Sequence, residues 1–132
     1  MSKFTKKIII VLALILVFGT ICQASARYTH IFRIGSSLSI DANGKATCYG
    51  SVETYTTKTI KLTVMLYRCV LGVWMPEKFE TTTKTTYISS LEFFYNIPRT
   101  GYNYIVVTTA EIYDSNGTLL ESESKESYIK YY

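Results

Sequence analysis

Residues 58–68 read KTIKLTVMLYR, with Ile60, Leu62, Val64 and Leu66 on one parity and Lys61, Thr63, Met65 and Tyr67 on the other. A period of two places the first set on one face of a β-strand and the second set on the opposite face. Threonine, valine, isoleucine and tyrosine are also the residues that suit a pleated, half-buried surface. The stretch reads as a strand with one face in a core. If the same pattern recurs on both sides of it, the chain is all-β.

It recurs. Upstream, Ile34, Ser36, Leu38 and Ile40 share a face as far as DANGK (41–45), where Asn43-Gly44 offers the positive-φ positions of a tight hairpin. KATCYGSVETY (45–55) then turns Ala46, Cys48, Gly50 and Val52 inward and Lys45, Thr47, Tyr49, Ser51 and Glu53 outward. Downstream, GVWMPEKFETTTKTTY (72–87) places Trp74 in a loop beside Pro76. Its threonine cluster, Thr81 to Thr86, reads as an exposed strand guarded at its edge by Lys84, with a solvated linker as the alternative. YISSLEFFYNIP (87–98) aligns Leu91, Phe93, Tyr95 and Ile97, and Pro98 ends it. In YNYIVVTTAEIYD (102–114), Tyr104, Val106, Thr108, Ala110 and Ile112 oppose Ile105, Val107, Thr109 and Glu111. DSNG (114–117) is a second hairpin signal, and the last strand runs from Thr118 through LLESESKESYIKYY. Its middle is too polar for a central position, so an edge or bent strand is expected. The sum is about seven strands in a single antiparallel domain, with no helix of substance, no internal repeat and no second domain.

The first 26 residues have another character. Lys3, Lys6 and Lys7 precede an apolar run from Ile8 to Cys22, followed by Ala24-Ser25-Ala26. These are the three parts of a secretory signal peptide, and a run of about 15 residues falls short of the roughly 20 that span a bilayer. Cleavage after Ala26 is expected, with a retained anchor or a lipid-modified Cys22 as the alternatives. Removing 26 of the 132 residues leaves 106, one ordinary domain spanning 27–132. Three of the 14 basic residues and none of the 10 acidic ones leave with the leader, so the net charge falls from +4 to about +1. Nothing in that balance calls for nucleic acid or an anionic membrane. Membrane contact is expected only through the leader during export, and the product is expected to be secreted.

Export also frames the cysteines. Cys48 and Cys69 remain, and two cysteines in an oxidising compartment are expected to pair. The bridge would close a loop of about 22 residues, worth roughly 3 kcal/mol. Strand parity opposes it, since Cys48 counts inward and Cys69 outward. A bulge, a strand end or a sheet crossing near Arg68 would be required.

NIPRTGYNYIVVTTAEIYD (96–114), a proline–glycine corner running into an alternating strand, resembles the E–F corner and F strand of fibronectin type III and related immunoglobulin-like domains. That resemblance implies an immunoglobulin-like β-sandwich in which a tyrosine near the start of the strand bonds back to the corner backbone. Tyr104 is the candidate and Tyr102 the alternative. More widely, SSLSIDANGKATCYGSV, TIKLTVMLYR with its following tryptophan, and GYNYIVVTTAEIYDSNG are similar to segments of small secreted proteins of unknown function from low-GC Gram-positive bacteria. That likeness implies no catalytic or binding residues. The spacing of Cys48 and Cys69 also departs from antibody-type domains, where the two cysteines lie much farther apart.

Catalytic equipment is sparse. His30, the one histidine, falls four residues past the expected cleavage site, in a terminus expected to be mobile. Glu121, Glu123 and Glu126 share one polar stretch that reads as a solvated edge and not as an acid–base pair. No Cys/His cluster, calcium-loop spacing or glycine-rich phosphate loop occurs, so no cofactor or metal is expected and the chain is read as a non-enzyme. Asn116-Gly117-Thr118 matches a glycosylation sequon, which the hairpin reading already explains. What stands out is tyrosine on outward parity: Tyr49, Tyr55 and Tyr67, with Trp74 beside them in sequence. Such side chains form contact faces for proteins and sugars, and they also simply fill strand positions. The expected role is an extracellular or cell-envelope interaction module, its partner a protein or a cell-wall glycan. A small secreted antimicrobial or toxin-like polypeptide is the rival reading.

Overall fold

The computed structural model describes residues 28–132, so the expected leader and the expected cleavage after Ala26 lie outside the described residues. It is all-β and antiparallel. Six strands follow in chain order: β1 (Ile31–Ile40), β2 (Lys45–Val70), β3 (Val73–Asn96), β4 (Asn103–Tyr113), β5 (Leu119–Glu126) and β6 (Lys130–Tyr131). The count is six and not seven, because runs expected to be separate are continuous. Residues 45–55 and 60–67 form one strand of 26 residues, and the threonine cluster continues into 87–96 as one strand of 24. In the other direction, the expected final strand is divided into β5 and β6.

β2 is the spine. Its first half pairs β1 on one side and the second half of β3 on the other. Its second half pairs the first half of β3 and, on its other side, β4. The ladder with β3 breaks between Glu53 and Lys58, where Tyr55, Thr56 and Thr57 are exposed. The buried Thr54 hydroxyl braces this bend at 2.7 Å from Thr56 O. No such bracket is written in the alternation, which runs on through both halves.

The bend brings the two halves of the sheet together. Thr108 Oγ1 of β4 donates to Ser36 Oγ of β1, and Ser36 Oγ donates to Val106 O, each at 3.1 Å. β1 and β4 share no ladder, so these contacts set them face to face. Apolar clusters flank this polar waist. Leu38, Cys48, Val64, Leu66, Phe93, Tyr104 and Val106 lie on one side, and Ile31, Ile34, Val52, Ile60, Leu62, Ala110 and Ile112 on the other. The inward sets of residues 58–68 and 102–114 are buried as their periodicity requires: Ile60, Leu62, Val64, Leu66, Tyr104, Val106, Thr108, Ala110 and Ile112 are fully buried. Burial of this kind is worth roughly 1.5–3 kcal/mol for each large apolar side chain. At the waist, Gly50 is the residue that permits the close approach. A methyl there would fall 2.6 Å from Val64 Cγ2 and closer still to Thr108 Oγ1.

The two signalled hairpins share one design. Asp41 Oδ1 accepts from the Asn43 and Lys45 amides, and Asp114 Oδ1 accepts from those of Asn116 and Thr118, all at 2.9 Å. Only the glycine takes positive φ, 81° at Gly44 and 79° at Gly117, so each is an Asx-braced turn closing on a left-handed glycine and not a two-residue turn.

Cys48 and Cys69 are free thiols, so the expected bridge is not formed. Cys48 lies on the inner face between its ladder partners Leu38 and Phe93, whereas Cys69 stands opposite Trp74 on the outward parity of Met65 and Tyr67. A bulge does occur near Arg68, but in the other strand. Leu66 pairs Lys78 and Tyr67 pairs Pro76, so the extra residue is Glu77 of β3. β2 keeps its alternation, and the two sulfurs stay on opposite faces.

Candidate contact surface

Residues directly opposed in a ladder point to the same side of the sheet. The outward side of β3, β2, β4 and β5 can therefore be read as rows. Phe79, Met65, Val107 and Glu126 form one row; Pro76, Tyr67 and Ile105 the next; Trp74 and Cys69 the last before the β2–β3 turn. Tyr67, Trp74, Ile105, Val107 and Glu126 line a shallow groove of about 160 Å³. It is apolar on its floor and carries a single carboxylate on its rim. Trp74 belongs to β3 and not to a loop, and it is 38% exposed.

Beyond the groove the chain turns through Leu71 and Gly72, with φ of 50° and 79°. Left-handed φ at both central positions is the two-residue turn that matches strand twist. Leucine there costs about 1–2 kcal/mol relative to right-handed backbone. Leu71 is nevertheless fully exposed, and Val73 beside it is exposed as well. This apolar tip was missed in the sequence because Leu71-Gly72 carries no Asn-Gly or Asp-Gly signal. The glycine and the short gap between alternating runs were the only clues.

The four aromatic candidates do not form one surface. Tyr67 and Trp74 meet in the groove. Tyr49 lies on the outward face of the other half of the sheet, beside Arg33, Ser51 and Glu53, where Arg33 and Glu53 form a 2.9 Å ion pair. Tyr55, at the bend, packs edge-on against Phe32 with ring centres 5.4 Å apart. Short of the groove, the outward face is lined with hydroxyls. Thr63 and Thr81 bond at 3.1 Å and Thr109 and Ser124 at 2.8 Å.

Tyr104 is the corner tyrosine and Tyr102 is not. Fully buried, Tyr104 donates its hydroxyl to Arg99 O at 2.6 Å, which ties the strand start to the corner five residues upstream. Desolvation by burial raises its pKa above the ordinary phenol value. Tyr102 instead faces Arg68, whose guanidinium carbon is 4.8 Å from the ring centre. The bulge aims Glu77 inward at the same place. Arg68 Nε lies 3.0 Å from Glu77 Oε1 without the alignment of a hydrogen bond, and Tyr95 Oη donates to Glu77 Oε2 at 3.1 Å. This half-buried cluster closes one end of the core. Neither alternation nor turn chemistry could announce it, because it depends on a single inserted residue.

His30 is held, contrary to the loose terminus expected. Its carbonyl accepts from the Tyr55 amide, and its own amide, with that of Thr29, donates to the Glu121 carboxylate. Glu121 is thereby a structural clamp, while Glu126 sits at the groove. A larger hollow of about 470 Å³ opens beside Ser36, Ser124 and Lys125–Tyr128. The hydroxyls of Ser36 and Ser127 there are spent on the fold: each bonds to Val106, and Ser127 Oγ also donates to Tyr128 O. Among the described residues no group of three His, Cys, Asp or Glu side chains could hold a metal ion.

No protein-family model matches the chain, and no curated protein matches it. Among solved structures it is similar to part of Bacteroides uniformis β-glucuronidase 2, covalently bound to cyclophellitol-6-carboxylate aziridine. Identity is 20%, and the match covers 70% of this chain and 12% of that one, with a TM-score of 0.42. The chain thus spans a small part of that enzyme's length, and a likeness of that size bears on neither mechanism nor partner.

Proposed function

We propose that the chain is a secreted, non-enzymatic immunoglobulin-like β-sandwich that binds another macromolecule at the cell envelope, a protein or a cell-wall glycan. The bent sheet, the facing of β1 on β4 and the Tyr104–Arg99 tie support the sandwich reading. The observation that carries the binding role is the apolar end of the outward face: Tyr67 and Trp74 over Ile105 and Val107, extended by a strained and fully exposed Leu71. The left-handed backbone closes the β2–β3 hairpin, but that turn does not call for a leucine at a fully exposed tip, and such outliers concentrate where a surface is used. Aromatic anchors of this kind dominate contact energies.

Immobilised protein is to be incubated with envelope fractions beside a Trp74→Ala variant of equal stability. Retention of one component by the unaltered protein, reduced at least about tenfold by Trp74→Ala, is the expected result. Equal retention by both, or none above background with either, would remove this surface as the site.

A further inference from the structure

We infer that two copies of this chain pair along the free edge of β3, antiparallel and about a twofold axis through Thr82. The edge comes first. β3 is 24 residues long, and its only ladder among the described residues is with β2. A long row of unpaired amides and carbonyls is a template for another strand unless charge, proline or a bulge blunts it. Here Pro76 and the bulge at Glu77 blunt one end, and the bend near Tyr87 closes the other. Between them lie Lys78 to Thr86, nine residues rich in threonine and unbroken by proline or glycine.

Geometry then restricts the register. A twofold pairing within one sheet opposes residues of the same face, so partners must have the same parity. Even-numbered residues of this segment face inward, since Lys78, Glu80, Thr82 and Lys84 oppose Leu66, Val64, Leu62 and Ile60. Centring on Glu80 would set two glutamates opposite each other, and centring on Lys84 two lysines. Centring on Thr81 would oppose Lys78 and Lys84, and centring on Phe79 would draw Pro76 into the ladder. A centre at Thr83 pairs no charges. Centring on Thr82 sets Glu80 against Lys84 of the second copy, twice by symmetry. It also opposes Thr81 to Thr83 and lays the exposed Phe79 beside Thr85. Opposite charges directly across a ladder are favourable, and like charges there are not. Within the chain Glu80 has one ionic neighbour among the described residues, Lys78 at 4.0 Å.

The occupant is therefore a second copy, by charge complementarity of the edge with itself. Lys84, which read as a guard against pairing, becomes the partner that fixes the register.

Sedimentation equilibrium on the purified protein and three variants tests this. The unaltered protein should show a concentration-dependent dimer that weakens in high salt. Glu80→Lys and Lys84→Glu should each weaken it at least about tenfold, because each turns two attractions into two repulsions. Mixing the two single variants should restore a dimer, and the double exchange Glu80→Lys with Lys84→Glu should restore it in one chain, which also controls for folding. A protein that stays monomeric up to about millimolar would overturn the inference. So would a dimer indifferent to these substitutions, or single variants that do not complement on mixing.

Discussion

Cys48 shows how much a single position can be asked to report. Burial pushes its thiol from 9.0 up to about 12, against a smaller opposing effect of the Lys78 ammonium. The folded state therefore keeps a proton that the unfolded chain releases. The stability this contributes is fully present below about pH 9 and is lost as pH rises from 9 toward 12. Tyr95 and Tyr104, both held above the ordinary phenol value first by desolvation, act with the same sign above pH 10. Two measurements follow. Alkylation of native, unreduced protein should modify Cys69 and spare Cys48 until urea is added, whereas two thiols that stay unmodified in urea without reductant would establish the bridge. Urea melts should show stability falling between pH 9 and 11, and falling less steeply in Cys48→Ala. A stability unchanged over that interval would place the thiol in water.

At the scale of elements, the bend in β2 and β3 is what turns alternating runs into a closed core, and its narrowest point is Gly50. Gly50→Ala would force its methyl into Val64 and Thr108 across the waist. The expected loss is about 1–3 kcal/mol by chemical denaturation, the range for overpacking a tight core. A loss under about 0.5 kcal/mol would mean that the two halves stand farther apart. The strand faces were legible because a period of two survives any bend: the inward sets of β2 and β4 are buried as read. What was not legible is where the chain changes direction without turn residues. Thr54–Lys58 and Thr86–Ile88 contain neither glycine nor proline, so two bent strands were counted as four. Leu71 was hidden for the opposite reason, a left-handed turn built on a residue that avoids it. The candidate contact surface was half legible. Outward parity found Tyr67, but it could not tell that Trp74 lies across the ladder from Cys69, nor that Tyr49 and Tyr55 lie elsewhere.

For the molecule as a whole, the corner and the outward groove are proposed to carry separate duties. The corner holds Tyr104 by burial and by one short bond to Arg99, while the outward face at the same end of the sheet leaves Tyr67, Leu71 and Trp74 without a comparable structural role. Substitutions should sort accordingly. Tyr104→Phe forfeits the hydrogen bond, about 0.5–1.5 kcal/mol, and Tyr104→Ala adds a cavity, about 3–5 kcal/mol. Trp74 stands on an edge strand, so its truncation should leave most of the core intact. The most direct measurement is a set of urea unfolding curves for Tyr104→Ala and Trp74→Ala beside the unaltered protein. Tyr104→Ala is expected to lose about 3–5 kcal/mol and Trp74→Ala less than about 1 kcal/mol, a surface-sized effect. The reverse order, with Trp74→Ala the more destabilised, would make the tryptophan a core residue and contradict the proposed division between a core that folds and a surface that binds.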